Sequence, residues 1–181
     1  MIFSEKEIVL KDGRTALLRT PREEDAEELL DYLRAVSGET EFLTRTPEEL
    51  DSDPEKERAY VRGRRASPDA LMIACFFGGR IVGNCEINFS ARKKTAHRAT
   101  LGIALRREAW GLGIGSALFS ELIAAGRERG VACLELCCME ENARAIALYE
   151  KFGFRTVCRL PDAFRLSDGR PCAELFMRLE F

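Results

Sequence analysis

The chain has 181 residues, 46% of them hydrophobic and 32% charged, which suits one domain with a packed core and is too short for two large ones. Against 28 Lys and Arg stand 30 Asp and Glu, a formal net charge of −2 that lacks the basic excess of a nucleic-acid footprint. No apolar run approaches the ~20 residues that span a bilayer, and the opening Met1-Ile2-Phe3-Ser4-Glu5-Lys6-Glu7 meets charge at once, so neither a membrane segment nor a secretory leader is expected and a cytoplasmic location is.

In chain order, Ile8-Val9-Leu10 and Ala16-Leu17-Leu18 flank an Asp12-Gly13 turn and read as a hairpin. Pro21 is expected to open a helix, with Glu23, Glu24 and Asp25 loading its first turn and Ala26, Leu29, Leu30 and Leu33 on one face. Residues 38–69 are more polar, with helix starts expected at Thr46-Pro47-Glu48-Glu49 and Pro54-Glu55-Lys56-Glu57. Leu71 to Phe77 is an apolar strand that Gly78-Gly79 turns into a second, Ile81 to Phe89. A basic loop, Ala91-Arg92-Lys93-Lys94, precedes a third strand, Ala99 to Leu105. After Trp110-Gly111-Leu112-Gly113-Ile114-Gly115-Ser116 comes a helix with Ile114, Leu118, Leu122 and Ala125 buried and Gly130 as its C-terminal cap. Val131 to Met139 is a strand, Asn142 caps a helix that stops at Gly153, and Phe154 to Val157 and Ala173 to Leu179 close the sheet. Strands with intervening helices in this order give an α/β fold with a mixed, mainly antiparallel sheet. The 7 cysteines, scattered through apolar stretches without Cys-x-x-Cys spacing, read as buried thiols, and a single histidine, His97, makes a zinc site unexpected.

Chemistry concentrates at the glycine turn. Three glycines at every second position keep Cβ atoms away where strand meets helix, and the first N–H groups of the helix carry the positive end of its dipole, so the turn is suited to an anion such as a pyrophosphate. A P-loop would need Gly-Lys followed by Ser or Thr, and the chain has no Gly-Lys dipeptide. Gly111-x-Gly113-x-x-Ser116, with Glu135 about 20 residues on, approaches a dinucleotide fingerprint. However, Ser116 replaces the third glycine and too little chain remains for a doubly wound fold. Further on, Asn142 and Tyr149 stand two turns apart on nearly one helix face, about 10 Å along the axis. A tyrosine beside Ile146, Leu148 and Phe152 could equally be a core residue.

His97 to Ile103, the glycine turn, and Asn142 through Phe154 together resemble the GNAT superfamily of acyl-CoA-dependent N-acyltransferases. The resemblance implies one N-acetyltransferase domain over residues 1–181, with a sheet splayed at the cofactor cleft. It also implies transfer of an acetyl group from acetyl-CoA to a primary amine by direct attack, without a metal. On that pattern the strand edge Ile103-Ala104-Leu105 would pair with pantetheine. Trp110, Gly111, Leu112, Gly113, Ile114, Gly115 and Ser116 would cradle the pyrophosphate, and Asn142 would help hold the cofactor. Tyr149 would be the general acid to the departing thiolate.

Two departures stand out. Trp110 occupies a place where relatives commonly have Arg or Gln, and Arg106, Arg107, Arg144 or Lys151 could compensate. No Asp or Glu lies between His97 and Leu105, so the base is open among Glu86, His97 and Glu135, each of which could equally be an ordinary surface or paired side chain. The acceptor, a small amine or a protein N-terminus or lysine, would be met by residues 20–69 and Arg159 to Arg170. A homodimer is compatible with this reading. The rival function is a non-catalytic acyl-CoA sensor, against which Tyr149 argues, since a sensor has no use for a proton donor at the sulfur.

Overall fold

A computed structural model describes residues 1–181. Eight strands form one sheet in the order β1-β2-β3-β4-β5-β6-β8-β7. They are β1 (Lys6–Val9), β2 (Thr15–Arg19), β3 (Ala70–Phe77), β4 (Arg80–Phe89), β5 (Arg98–Leu105), β6 (Cys133–Met139), β7 (Arg155–Arg165) and β8 (Pro171–Glu180). Every neighbouring pair is antiparallel except β5 and β6. The helices are α1 (Ala26–Glu39), α2 (Pro54–Ala66), α3 (Ile114–Arg129) and α4 (Ala143–Lys151). None is long and apolar enough to cross a membrane.

Side-chain alternation along the central strands sorts residues between two cores. Leu71, Ile73 and Cys75 of β3, with Cys85, Ile87 and Phe89 of β4, join a 25-residue cluster with Leu118, Phe119 and Leu122 of α3 and Tyr149 of α4. Met72 and Ala74 face the other way, packing with Leu29, Tyr32 and Val36 of α1 and Val61 of α2. With both its faces covered, β3 is an almost unbroken apolar run. On the α1–α2 side, β4 and β5 do not continue the apolar pattern. They present Asn84, Glu86 and Asn88, then Thr100, Gly102 and Ala104, a face too polar and too small to pack as a core.

The parallel pair is short. Only Arg98, Ala99 and Thr100 of β5 are in register with Cys133, Leu134 and Glu135 of β6. Both strands run on unpaired with each other, to Leu105 and to Met139, so the sheet splays between them.

Several expectations shift in detail. Pro21 does not open the first helix. A 3-10 turn at Glu23–Asp25 comes first, held by the Asp25 carboxylate, which accepts from the Arg22 N–H at 2.6 Å and pairs with Arg19. The Thr46–Glu49 signature is genuine as a capping box but closes only a 3-10 turn, because the chain leaves it in extended conformation at Leu50. The strand expected to end at Val157 continues to Arg165, so much of the segment from Arg159 to Arg170 is an edge strand of the sheet. Cys75, Cys85, Cys133 and Cys172 are buried as expected, but Cys137 and Cys158 are exposed and Cys138 is half-buried. Cys158 lies on exposed β7, while Cys137 and Cys138 lie where β6 has parted from β5.

Candidate active site

The glycine turn is held by its backbone and by its two apolar residues. Ile114 is fully buried and Leu112 packs on the main core, so these two expected contact residues anchor the turn from below rather than facing the cleft. Gly111 and Gly113 have φ of +77° and +92°, the left-handed region that side-chain-bearing residues rarely occupy. Gly113 caps α3 without any side-chain acceptor. The backbone N–H groups from Gly111 to Ser116 find no acceptor within the protein. They form the donor-rich, positive end of a 16-residue helix. The Lys11 N–H donates to the Leu112 carbonyl at 3.0 Å, which ties the turn to the β1–β2 hairpin and brings the Lys11 side chain to the cleft.

Four cations stood as substitutes for the missing Arg or Gln, and they divide. The Arg144 guanidinium stacks 4.4 Å from the Trp110 ring centroid, and Lys151 donates to the Ser116 hydroxyl at 3.1 Å, so both stand at the turn. Arg106 is turned away, donating to the Ile81 carbonyl at 3.0 Å, and Arg107, whose guanidinium lies 5.7 Å from the Trp110 ring centroid, is held by Glu39 through its backbone N–H and its side chain. Trp110 itself donates its indole N–H to the Leu105 carbonyl at 3.1 Å. It therefore acts as a platform that positions Arg144 beside the turn. Lys11 had no motif to announce it, since it reaches the turn only through the hairpin.

From the turn a cavity of about 680 Å³ runs along the free edge of β5. Ile103, Ala104, Leu105, Trp110, Gly111, Gly113, Gly115, Ser116, Asn142 and Tyr149 all line it. The expected contact set thus converges on one cleft, apart from Leu112 and Ile114. The Asn142 side-chain oxygen accepts from the Ala145 N–H at 3.2 Å and so caps α4. Its amide N–H₂ remains free to serve the cleft.

Tyr149 is both a core residue and a cleft residue. It is 6% exposed, its ring 5.2 Å from that of Phe119. Burial first, and then neighbouring Cys138, push its phenol above the ordinary tyrosine range, so it keeps its proton at any physiological pH. Cys138 lines the same cavity, and its thiol is pushed up to about 11, chiefly by burial, with Cys137 and Glu174 adding to the effect.

A second cavity of about 350 Å³ lies on the α1–α2 side. It shares Val36, Leu43, Thr44 and residues 101–104 with the first, so the two meet at β5. The buried Tyr32 hydroxyl donates to the Ala104 carbonyl at 2.7 Å and pins α1 to this strand. Among the three expected bases, only Glu86 lines either of these two cavities. Its carboxylate pairs with Arg64 at 2.6 Å and accepts from the Tyr60 hydroxyl at 2.8 Å. Glu135 is buried between Arg98 and Arg178, away from both cavities. His97 is exposed in the turn before β5, and its carbonyl accepts from Ala132 and Cys133. The alternation Asn84-x-Glu86-x-Asn88 within an otherwise apolar strand was a readable signal for this wall.

Residues 28–154 match the acetyltransferase (GNAT) family. The chain belongs to that family. A curated relative, the L-amino acid N-acetyltransferase AaaT of Escherichia coli, is 33% identical over 84 residues, 46% of this chain and 51% of the relative. The matched stretch thus spans about half the length of that protein. Among solved structures, a GNAT-family acetyltransferase from Streptococcus pneumoniae superposes with a TM-score of 0.85 at 25% identity, covering 92% of this chain and 99% of that one. Ribosomal-protein-alanine N-acetyltransferase from Brucella melitensis follows with a TM-score of 0.77 at 26% identity, covering 91% and 99%. A fold neighbour at 17% identity and TM-score 0.77, yncA of Salmonella typhimurium, covering 91% of this chain and 93% of that one, was solved with its cofactor acetyl-CoA. The GNAT family uses acetyl-CoA as acyl donor and acetylates amines, and the sequence-level expectation of a GNAT fold with a splayed, mainly antiparallel sheet holds.

Proposed function

We propose that the chain is a single acetyl-CoA-dependent N-acetyltransferase domain that acetylates a primary amine by direct attack. The observation that carries this reading is the meeting of two cavities at β5. One has the donor-rich glycine turn at its end, and the other enters from the opposite side of the same strand. A sensor needs only the first. A bisubstrate enzyme needs both, since holding two reactants in contact supplies much of the barrier reduction.

The residues present fit acetyl-CoA. Free N–H groups at Gly111–Ser116, flanked by Lys11 and Arg144, would hold the pyrophosphate. The edge of β5 that β6 leaves unpaired at Ile103–Leu105, apart from the Leu105 carbonyl that accepts from Trp110, would take the amides of the pantetheine arm, and Asn142 would steady it from α4. When bound, acetyl-CoA supplies an activated carbonyl and a thiolate leaving group. Glu86, fixed by Arg64 and Tyr60, receives the amine proton through water, which leaves the nitrogen lone pair free to form the amide bond. Tyr149 gives its phenolic proton to the departing sulfur, and solvent returns a proton to it. The overall change is an amine and a thioester to an amide and a thiol. No acyl-enzyme is needed, and Cys138, held as a thiol, is a poor nucleophile at neutral pH.

The test is release of free thiol from acetyl-CoA across a panel of primary amines. Amine-dependent release, with the acetylated amine recovered, is expected. Tight acetyl-CoA binding with no release to any amine would point to a sensor instead.

A further inference from the structure

Two glycines lie inside strands, and for different reasons. Gly83 of β4 is packed. A Cβ there would stand 3.2 Å from Leu105 Cγ and 3.3 Å from Leu118 Cδ1, closer than side chains ordinarily approach. Gly102 of β5 is not packed. Its φ lies outside the left-handed region, and a Cβ built on it meets no atom within 4 Å. Neither backbone nor packing calls for glycine at 102, and a glycine within a strand costs stability relative to alanine. A strand glycine can mark a place where a ligand approaches closely.

The position of Gly102 says what would approach it. It is exposed, lines both cavities, and stands in register with Glu86 of β4. Directly opposed residues of an antiparallel pair project to one face, so a side chain at 102 would rise beside that of Glu86. Neighbouring strands lie ~4.8 Å apart. β4 flanks β5 on one side, and the free edge along which the thioester would lie is on the other. A proton leaving an amine at that edge must cross the surface of β5 to reach Glu86, and Gly102 is the residue of β5 opposite Glu86. Glu86 and Thr100, which line the same cavity, make this surface polar enough to hold water.

We propose that Gly102 is a positioning residue for proton removal, its bare backbone forming the floor on which the water between the acceptor amine and Glu86 sits. This rests on the transferase reading with Glu86 as base. The ammonium nitrogen gives a proton to the water, the water gives one to the Glu86 carboxylate, and water is regenerated. A methyl group at 102 takes the place of that water and leaves the amine without a path to the base.

Gly102→Ala is assayed for thiol release from acetyl-CoA with butylamine, phenethylamine, spermidine, leucine and alanyl-leucine. For every acceptor that the wild-type protein uses, kcat should fall by about tenfold near neutrality, with KM within about twofold. The deficit should shrink as pH rises toward ~10.4, where an alkyl amine sheds its proton unaided. The charged and titratable groups around Glu86 are Arg64, Tyr60 and Glu57 of α2 and Arg45 of the loop before it, and the substitution alters none of them. Adding Glu86→Gln should cost no more than about a further twofold, because one path cannot be cut twice. Calorimetry should find acetyl-CoA affinity unchanged, and Tm should rise by about 1–4 °C, the gain from alanine in a strand. A deficit independent of pH, a loss carried by KM that grows with acceptor size, additive effects in the double variant, or wild-type turnover would each overturn the assignment and leave the transferase reading intact. No thiol release from any amine by the wild-type protein would overturn that reading and this assignment with it.

Discussion

The two cavities that meet at β5 are built from different kinds of neighbours. The proposed cofactor side is assembled mainly from one stretch of chain, namely the end of β5, the glycine turn, the end of β6 that has parted from β5, and α4, with Lys11 of the hairpin and the loop after α1 joining from outside it. Its working groups are mostly backbone N–H groups and glycines, so the local chain conformation itself makes the site. The acceptor side joins α1, the loop after it, α2, β4 and β5, residues up to about 70 positions apart. Its working groups are side chains, each held by a partner on another element, as Glu86 is by Arg64. A backbone-built site is fixed once its turn forms, whereas a side-chain-built site depends on packing between layers and can change one residue at a time.

The largest expected effect is at Tyr149, a side chain within the cavity that holds the glycine turn. Tyr149→Phe keeps the ring against Phe119 and removes only the phenolic hydroxyl, with its proton. If that proton goes to the departing thiolate, kcat and kcat/KM should fall together by about 10²–10⁴-fold, with acetyl-CoA affinity nearly unchanged. Rapid-quench kinetics on a good acceptor would check this, and wild-type turnover with chemistry rate-limiting would leave Tyr149 as a core residue only.

On the backbone-built side, Gly113→Val should weaken acetyl-CoA binding at least tenfold by calorimetry. The position has φ of +92°, and a Cβ there would stand 3.5 Å from Lys11 Cγ, so the added methyl groups press on the lysine that flanks the turn. Forcing a side chain into the left-handed region costs about 1–2 kcal/mol. Circular dichroism should show the sheet intact. Undiminished affinity in a folded variant would remove the turn from the binding site.

On the side-chain-built side, Glu86→Gln should lower kcat/KM about tenfold near neutrality, below the usual ~10²–10⁴-fold of general-base effects because water intervenes. The base is needed because an alkyl amine arrives as ammonium, with a pKa near ~10.4. As pH rises toward that value the free amine becomes common, so the deficit of the variant should shrink with increasing pH. A deficit independent of pH would make Glu86 a structural partner of Arg64 and nothing more.

The same division governs what could be read before the structure. The turn and the Asn142–Tyr149 helix were legible because spacing within one segment carries them, and the succession of strands and helices along the chain was legible because apolar patterning carries it. The base was left open among Glu86, His97 and Glu135, because only the crossing of α2 over β4 singles out one carboxylate. Lys11 was missed because it reaches the turn through the hairpin. The length of β7 was missed because its residues are mostly exposed, so burial leaves no pattern on them. Only the burial of the cysteines at 137 and 138 was misjudged, because β6 continues past the point where β5 stops pairing with it and leaves both at the cavity.

The smallest expected effect tests whether those two cysteines matter. Cys138 lines the cofactor cavity close enough to affect the Tyr149 phenol, which makes it the natural candidate for a covalent relay. Attack on a thioester requires thiolate, not thiol. Burial raises the Cys138 thiol to about 11, so at pH 8 about one molecule in a thousand would carry the reactive form. The sign is fixed by the group: a raised thiol pKa empties the thiolate at every pH below it, so a relay would be starved where the enzyme works. Cys138→Ala should therefore leave kcat/KM within about twofold of wild type, the small loss reflecting one deleted sulfur in a half-buried place. Mass spectrometry of enzyme mixed with acetyl-CoA alone should find no acetyl group on Cys138. A loss above a hundredfold in the folded alanine variant, together with such an adduct, would replace direct attack by a two-step transfer and move the first chemical step wholly into the cofactor cavity.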